Sequence, residues 1–503
     1  ANPEELDLKQ EMTPEIRRRM DDGVAHEKAV FLDYAGEHTV VEIPYDSDPG
    51  IRFGYTLKAM QEGAEFIYQG NLIHEDWWGI PDILKKVDGV SELGNWHYIP
   101  LDIKSAHRLK KEHQYQLMFY SVLLKHIQGR MPEHAEVINI EKRPIPIDPS
   151  ENLRDFEDVL QKIQVIRTGK KPEPVLRKSC FDTSPWGEVC QQYAESRRDI
   201  ALLYKVDIRK LQSLRSLGID TIDQVAEMNV DEYANKGWGL TPHALEVMKV
   251  QAQSLIHQKI IVRNPVKFPE SSVEIYFDIE SDPPNDIDYL YGFLVREWGV
   301  GRWESQVASG ELDEERRASD ASHRDPATIE TAERRYDATT QRTDQYVRFV
   351  AERPEDESKM WKEFLSWLET LPGDYVVYHY AAHELTRLNL LKQRHGGSKW
   401  LDLFLSRMID VRVPATSDIV FPLYFYSLKK ICKHLGFEWR SKTQSGGESV
   451  DQFARWCETG DRAILDDIIL YNEDDVRATA FLKDWLTDHA NKIGEVNHQP
   501  ASS

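Results

Sequence analysis

The stretch VEIYFDIES, residues 273–281, constrains the fold more than any other. Its apolar and β-branched residues read as a strand buried on both faces. Yet Asp278 and Glu280 sit inside it. Carboxylates are rarely buried unless something neutralises them, and a metal ion is the obvious neutraliser. Two residues apart on a strand, they project to one face. The competing explanation is an edge strand with both acids facing water.

More acids follow downstream. YVVYHYAAHELTRLNLL reads as a strand and then a helix carrying Glu384, and SRMIDVRV places Asp410 at a strand end. In ILYNEDDVRATAFLKDWL, Tyr471 and Asp475 are four apart and share a helix face. Asp474 points about 100° away and is expected to be solvated. Acids from such separate segments can converge on two divalent ions, which activate water and stabilise the leaving oxygen of a phosphodiester. Oxygen donors favour Mg²⁺ or Mn²⁺.

Over about 273–490 these segments resemble the DEDD exonucleases of the RNase H-like superfamily. FDIES is similar to their first motif, Asp-x-Glu, and YNEDDV to their third, Tyr-x-x-x-Asp. Where their second motif has Asn and then Asp five residues on, this chain has His379 and Glu384. The resemblance implies catalytic roles for Asp278, Glu280, Glu384, Tyr471 and Asp475. It implies metal ligation by Asp278, Glu280 and Asp475, with Tyr471 orienting water and Asp410 in support.

A second constellation lies upstream. GIPDILKKV carries Pro81 and Asp82, and IPLDIKSA puts Asp102 and Lys104 on one strand face. QYQLMFYSVLL sets Gln116 and Tyr120 four apart on a helix, and DGVAHEKAV supplies His26. A carboxylate pair can hold Mg²⁺ while an ammonium stabilises developing charge. The order of these residues, over about 20–130, resembles the PD-(D/E)xK nucleases of RecB type. The resemblance implies catalysis by Asp82, Asp102 and Lys104, metal ligation by His26, Asp82 and Asp102, and support from Gln116 and Tyr120. An ordinary surface histidine is the alternative for His26. Lys85, Lys86, Arg108, Lys110 and Lys111 could track a phosphate backbone or form a solvated face.

RTGKKPEPVLRKS reads as a connector, and LRSLGIDTIDQVAEMN as helix, turn, Thr221 as N-cap and second helix. That pattern is similar to a helix-hairpin-helix element, and a structural linker fits it equally. RNPVKFPESS breaks the pattern with two prolines. The charged stretch from about 304 to 343 is expected to be a surface insertion. The expected domains are 1–165, 166–265 and 266–503. The expected fold class is α/β multidomain: a restriction-endonuclease-like α/β core, a helical (helix-hairpin-helix-like) middle and an RNase H-like α/β C-terminal domain.

Taken together the chain resembles the bacterial RecB-like putative nucleases with a C-terminal YprB-type RNase H-like domain. That resemblance implies a Mg²⁺- or Mn²⁺-dependent nuclease, an exonuclease hydrolysing phosphodiester bonds in DNA repair, processing or defence. It favours DNA over RNA as partner, with a helicase or repair partner by analogy. The net charge of −22 argues against non-specific nucleic-acid binding. It keeps open a scaffold that binds nucleic acid with one or both centres degenerate. Relatives of this nuclease type often carry a four-cysteine iron–sulfur cluster, with one Cys before the nuclease core and three after. Here CFDTSPWGEVC has Cys180 and Cys190 with Thr183 at the middle position, and no cysteine precedes His26, so no cluster is expected. Cys432 and Cys457 are expected to be buried thiols. No apolar run approaches a membrane span, and the polar N-terminus suggests no signal peptide, so a cytoplasmic location is expected. The missing initiator methionine points to processing or truncation.

Overall fold

The structure, a computed structural model, describes residues 9–10, 14–105, 109–151, 153–169, 174, 176–182, 184–283, 285–298, 342–490 and 492. Arg108, Thr183 and the charged stretch up to residue 341 lie outside the described residues. The chain divides into two compact units: Met12–Val175, and Leu176–Ser503 with Ala1–Glu11.

The first unit runs α1 (Pro14–Glu37), β1 (Val40–Glu42), α2 (Pro49–Gln61), β2 (Phe66–Tyr68), β3 (Leu72–His74), β4 (Trp77–Gly79), β5 (Ile83–Ser91) and β6 (Gly94–Ile103). It continues with α3 (Lys111–Gln128), β7 (Ala135–Ile138), β8 (Pro144–Ile147) and α4 (Leu153–Arg167). Six strands form one sheet in the order β1-β2-β5-β6-β7-β8. β6 pairs antiparallel with β5 and parallel with β7. Alternation along β6 decides which helix each residue meets. Ile99, Leu101 and Ile103 pack with Val30 of α1, whereas Tyr98 packs with Leu117 and Leu124 of α3. Asp102 therefore belongs to the α3 face. α3 stops at Gly129, whose φ of 68° suits glycine.

The second unit opens with helices: α5 (Lys178–Asp182), α6 (Gly187–Ser196), α7 (Ile208–Ser216), α8 (Ile222–Glu227), α9 (Val230–Tyr233) and α10 (Pro242–His257). They share an apolar cluster built on Leu202, Leu214, Val225 and Leu245. Thr221 caps α8 as expected, its hydroxyl and Gln224 forming a capping box. β9 (Ile261–Val262) follows.

Then come β10 (Val273–Asp282), β11 (Ile287–Trp298), β12 (Arg342–Val350), α11 (Glu357–Leu368), β13 (Val376–His379), α12 (His383–His395), α13 (Lys399–Ser406) and β14 (Met408–Asp410). The chain closes with α14 (Arg412–Ser417), β15 (Ile419–Val420), α15 (Leu428–His434), α16 (Gly446–Thr459) and α17 (Arg462–Trp485). A five-stranded sheet has the order β12-β11-β10-β13-β14. β10, β11 and β12 are antiparallel neighbours, and β13 and β14 run parallel to β10. β15 pairs with β9, joining the helical segment to the sheet segment.

β10 is the central strand, which is why it reads as continuously apolar. Phe277 stacks on Phe293 and packs with Phe364 and Phe404 on one face. On the other face Tyr276 and Tyr378 pack with Val476 and Ala480 of α17. Asp278 shares the α17 face with Tyr276. Glu274, also on that face, contacts Lys483 of α17 as a buried ion pair and accepts the Tyr276 hydroxyl at 2.7 Å. Among the described residues, no helix is long and apolar enough to cross a membrane.

Candidate active site

β10 and α17 bring three acids together. Ligand oxygens of Asp278, Glu280 and Asp475 all lie within 4.8 Å of one another. Glu280 is buried, and Asp278 and Asp475 are partly open to solvent. Burial, and then the Glu280 and Asp475 charges, hold the Asp278 carboxyl well above the usual carboxylate range. Burial, and then Asp475, pushes Glu280 up to about 8. Asp475 is raised to about 6, chiefly by burial, against hydrogen bonds from Trp439 and Tyr471. Like charges this close disfavour ionisation unless a cation joins them. Hard oxygen donors of this kind suit a divalent metal.

Short hydrogen bonds set each acid. Asn472 Nδ2 donates to Asp278 Oδ2 at 2.8 Å, and the Tyr346 hydroxyl donates to Asn472 Oδ1 at 2.9 Å. Gly292, the partner of Asp278 across the β10–β11 ladder, leaves room for that amide. A Cβ there would stand 1.6 Å from Asn472 Oδ1. Trp439 Nε1 donates to Asp475 Oδ1 at 2.7 Å. Ser449 hydrogen-bonds Glu280 and meets the Tyr289 hydroxyl at 2.8 Å. Asn472, Gly292, Trp439 and Ser449 were not found from the sequence. Only Asn472 carried a signal there, being three residues before Asp475 and so on the same helix face.

Tyr471 hydrogen-bonds Asp475, and burial together with that carboxylate raises its phenol far above the usual range. Lys429 Nζ lies 5.2 Å from the centre of the Tyr471 ring. Glu384, in the first turn of α12, is buried beside His379, whose Nδ1 is 3.3 Å from Glu384 Oε2. It adds to the charge felt by Asp278 and Glu280 but stands outside the three-acid group. Arg387, one turn further along α12, is held by Asp288 at 2.7 and 2.8 Å, which fixes the helix that presents Glu384. Asp410 accepts the Ala381 and Arg412 amides, each at 2.8 Å. It shapes the loop between β13 and α12, where Ala381 has a φ of 77°.

Asp474 is not solvated. It is 1% exposed and accepts the Arg440 and Ser441 amides at 2.7 and 3.0 Å, because the loop around residues 440–443 covers that side of α17. Cys432 is fully buried, whereas Cys457 is only half-buried, and all four cysteines are free thiols.

In the first unit, Asp82 and Asp102 meet where β5 starts and β6 ends. Asp82 Oδ2 accepts the Ile103 amide at 2.6 Å. Burial, and then Asp102, raises the Asp82 carboxyl well above the usual range. Asp102 is fully buried, with Lys104 Nζ at 2.6 Å as its ion-pair partner. On α3, Gln116 Nε2 donates to the Tyr120 hydroxyl at 2.8 Å. Burial and then the Asp102 and Asp82 charges raise the Tyr120 phenol.

His26 is on α1, against the opposite sheet face, and its Nε2 is buried without a hydrogen-bond partner among the described residues. Among the described residues it forms no three-ligand group with Asp82 and Asp102. Its neighbour Glu27, which sequence reasoning missed, faces Asp82 instead and accepts bonds from the Tyr68 hydroxyl at 2.9 Å and Gln69 Nε2 at 2.6 Å. The expected basic track is partly tied down. Lys85 pairs with Glu136 at 3.2 Å, Lys86 donates to the Gly63 carbonyl at 3.0 Å and Lys111 pairs with Asp155 at 3.7 Å.

Residues 329–487 match the RNase_H_2 family of the RNase_H superfamily. The match takes in Glu384, Asp410, Tyr471 and Asp475, and begins after Asp278 and Glu280. It supports an RNase H-like C-terminal domain and, with it, a nuclease-type function on nucleic acid. No curated protein matches the chain.

Proposed function

We propose that the chain is a divalent-metal-dependent nuclease with two centres, acting on DNA. The C-terminal centre removes nucleotides from a 3′ end, and the N-terminal centre, of PD-(D/E)xK type on a restriction-endonuclease-like core, cuts strands. The observation that carries this reading is the approach of Asp278 and Glu280 of β10 to within 4.8 Å of Asp475, which lies in the segment that matches an RNase H superfamily model.

Bound Mg²⁺ or Mn²⁺ would supply an activated water and charge stabilisation at the leaving oxygen. Asp278, Glu280 and Asp475 hold the metal, and Glu384 adds negative charge from α12. Tyr471 keeps its proton across the working pH range and donates it to Asp475, so its phenol oxygen is left to accept from and orient the attacking water rather than to act as an ionised base. Tyr471→Phe is therefore expected to lower the cleavage rate roughly 10–100-fold while leaving the Mn²⁺ affinity unchanged by calorimetry.

At the N-terminal centre, Asp82 and Asp102 hold metal, and Lys104 stabilises charge on the phosphate. Gln116 and Tyr120 shape the wall. One observation favours a degenerate N-terminal centre that only binds nucleic acid: His26 does not join Asp82 and Asp102 as a third ligand. The test compares cleavage of single- and double-stranded DNA and RNA, with Mg²⁺ or Mn²⁺, by wild type, Asp102→Ala and Asp278→Ala. Each substitution is expected to abolish a different cleavage activity. If Asp102→Ala changes nothing, the N-terminal centre is degenerate. If neither changes anything, the nuclease reading fails.

A further inference from the structure

The chain as a whole is acidic, with a net charge of −22, yet one cavity in the second unit is lined by cations. Its volume is about 380 Å³, and it lies between the first turns of α10 and the end of α14. Lys205, Lys210 and Arg263 line it, with His243 on the α10 wall. Lys205 Nζ donates to the Thr416 carbonyl at 2.9 Å, and Arg263 Nη1 to the Ser417 carbonyl at 3.3 Å. Each of these two cations is thus steadied by a neutral carbonyl. The one carboxylate among the lining residues, Asp418, accepts from Asn264 Nδ2 at 2.8 Å and the Ser417 hydroxyl at 2.7 Å, and its charge also acts on Lys205, so one carboxylate stands against Lys205, Lys210 and Arg263. Lys210 has Asp207 at 3.4 Å. Burial, and then Arg412 and Arg263, lowers the Lys205 ammonium below its usual range. Lys205 also adopts a left-handed φ of 65°, which glycine would accept more easily.

Cations gathered in one recess repel each other unless an anion joins them. A phosphodiester brings one charge and several acceptor oxygens, and a guanidinium matches it in shape. The recess is tied by chain continuity to Asp410, the strand-end acid that shapes the loop between β13 and α12. α14 begins two residues after Asp410 and reaches Thr416 within about 6 Å of helix rise.

We propose that this cavity grips the sugar-phosphate backbone of the strand on which the C-terminal centre acts. The identity of that strand rests on the nuclease reading. The test is fluorescence anisotropy with a labelled single-stranded DNA oligonucleotide in EDTA, where cleavage cannot contribute, across a salt series. The Lys205→Ala/Arg263→Ala double variant is expected to reduce the salt slope by about 1.4 and the affinity roughly 20-fold at about 0.1 M salt. His243→Glu, at an exposed position that requires no loss of a buried side chain, is expected to weaken binding in the same direction.

Thermal melting checks that each variant is folded. Unchanged slope and affinity in the folded variants overturns the proposal. So does inorganic phosphate or a mononucleotide raising the melting temperature of wild type but not of the variants, while oligonucleotide binding stays equal in all. Failure of the nuclease reading would appear in cleavage, not here.

Discussion

Asp278→Asn is expected to lower metal-dependent cleavage by roughly a thousandfold or more while the protein stays folded. Asparagine keeps the shape and one acceptor oxygen but removes the charge that a divalent cation needs. The same substitution removes a repulsive partner of Glu280 and Asp475, so the metal-free variant is expected to melt above metal-free wild type at neutral to alkaline pH. The sign follows from the raised carboxyls. Glu280 is held up to about 8 and Asp475 up to about 6, both above their unfolded values. Between those limits the folded state binds more protons than the unfolded state, so metal-free wild type loses stability as pH rises from about 4.5 to 8. Metal replaces those protons and should flatten the loss. At a metal concentration about 100 times the dissociation constant, wild type should gain about 2.7 kcal/mol, and Asp278→Asn much less. Differential scanning calorimetry with and without Mn²⁺, across that pH range, measures all of this. A wild type whose melting temperature ignores both pH and Mn²⁺ would remove the metal site.

Gly292→Ala is expected to destabilise the protein by about 2–4 kcal/mol and to cost cleavage about 100-fold in whatever folds. The added methyl would stand 1.6 Å from Asn472 Oδ1 and 3.0 Å from the Tyr346 hydroxyl. A long flexible side chain could swing aside, but Asn472 is fully buried and held at both ends of its amide. Nor can β11 retreat, since Gly292 pairs with Asp278 on one side and Arg348 on the other. Either the strand pairing or the amide that orients Asp278 must give way. Urea denaturation reads the first loss, and cleavage by the folded fraction reads the second. Gly292→Ala with wild-type stability and wild-type rate would show that Asn472 does not set the acid.

The part of the site that the sequence carried was periodic. Asp278 and Glu280 follow the two-residue repeat of a strand, and Tyr471 and Asp475 the turn of a helix, so each pair lands where its period puts it. Local chemistry also found Thr221 as a cap. It failed where a distant segment decides the surroundings. Asp474 is turned away from Asp475 on the helix, yet the loop around residues 440–443 arrives to bury it. Gly292 gains its meaning only from the register between β10 and β11, which no local pattern specifies. His26 and Glu27 are adjacent in sequence, but the packing of α1 chooses which one faces Asp82.

The ion pair between Glu274 and Lys483 has a mechanical consequence. Four residues of β10 separate Glu274 from Asp278, about 13 Å at a strand's rise, and eight residues of α17 separate Lys483 from Asp475, about 12 Å at a helix's rise. With Lys483 on Glu274 at one end and Asn472 on Asp278 at the other, the two elements are fastened at two points along the same span, like a beam clamped at two supports. Widening the gap by sliding or by hinging at one end would break one of these two contacts. A divalent cation held by these acids would then meet a gauge of nearly fixed width rather than a jaw that adjusts to its contents.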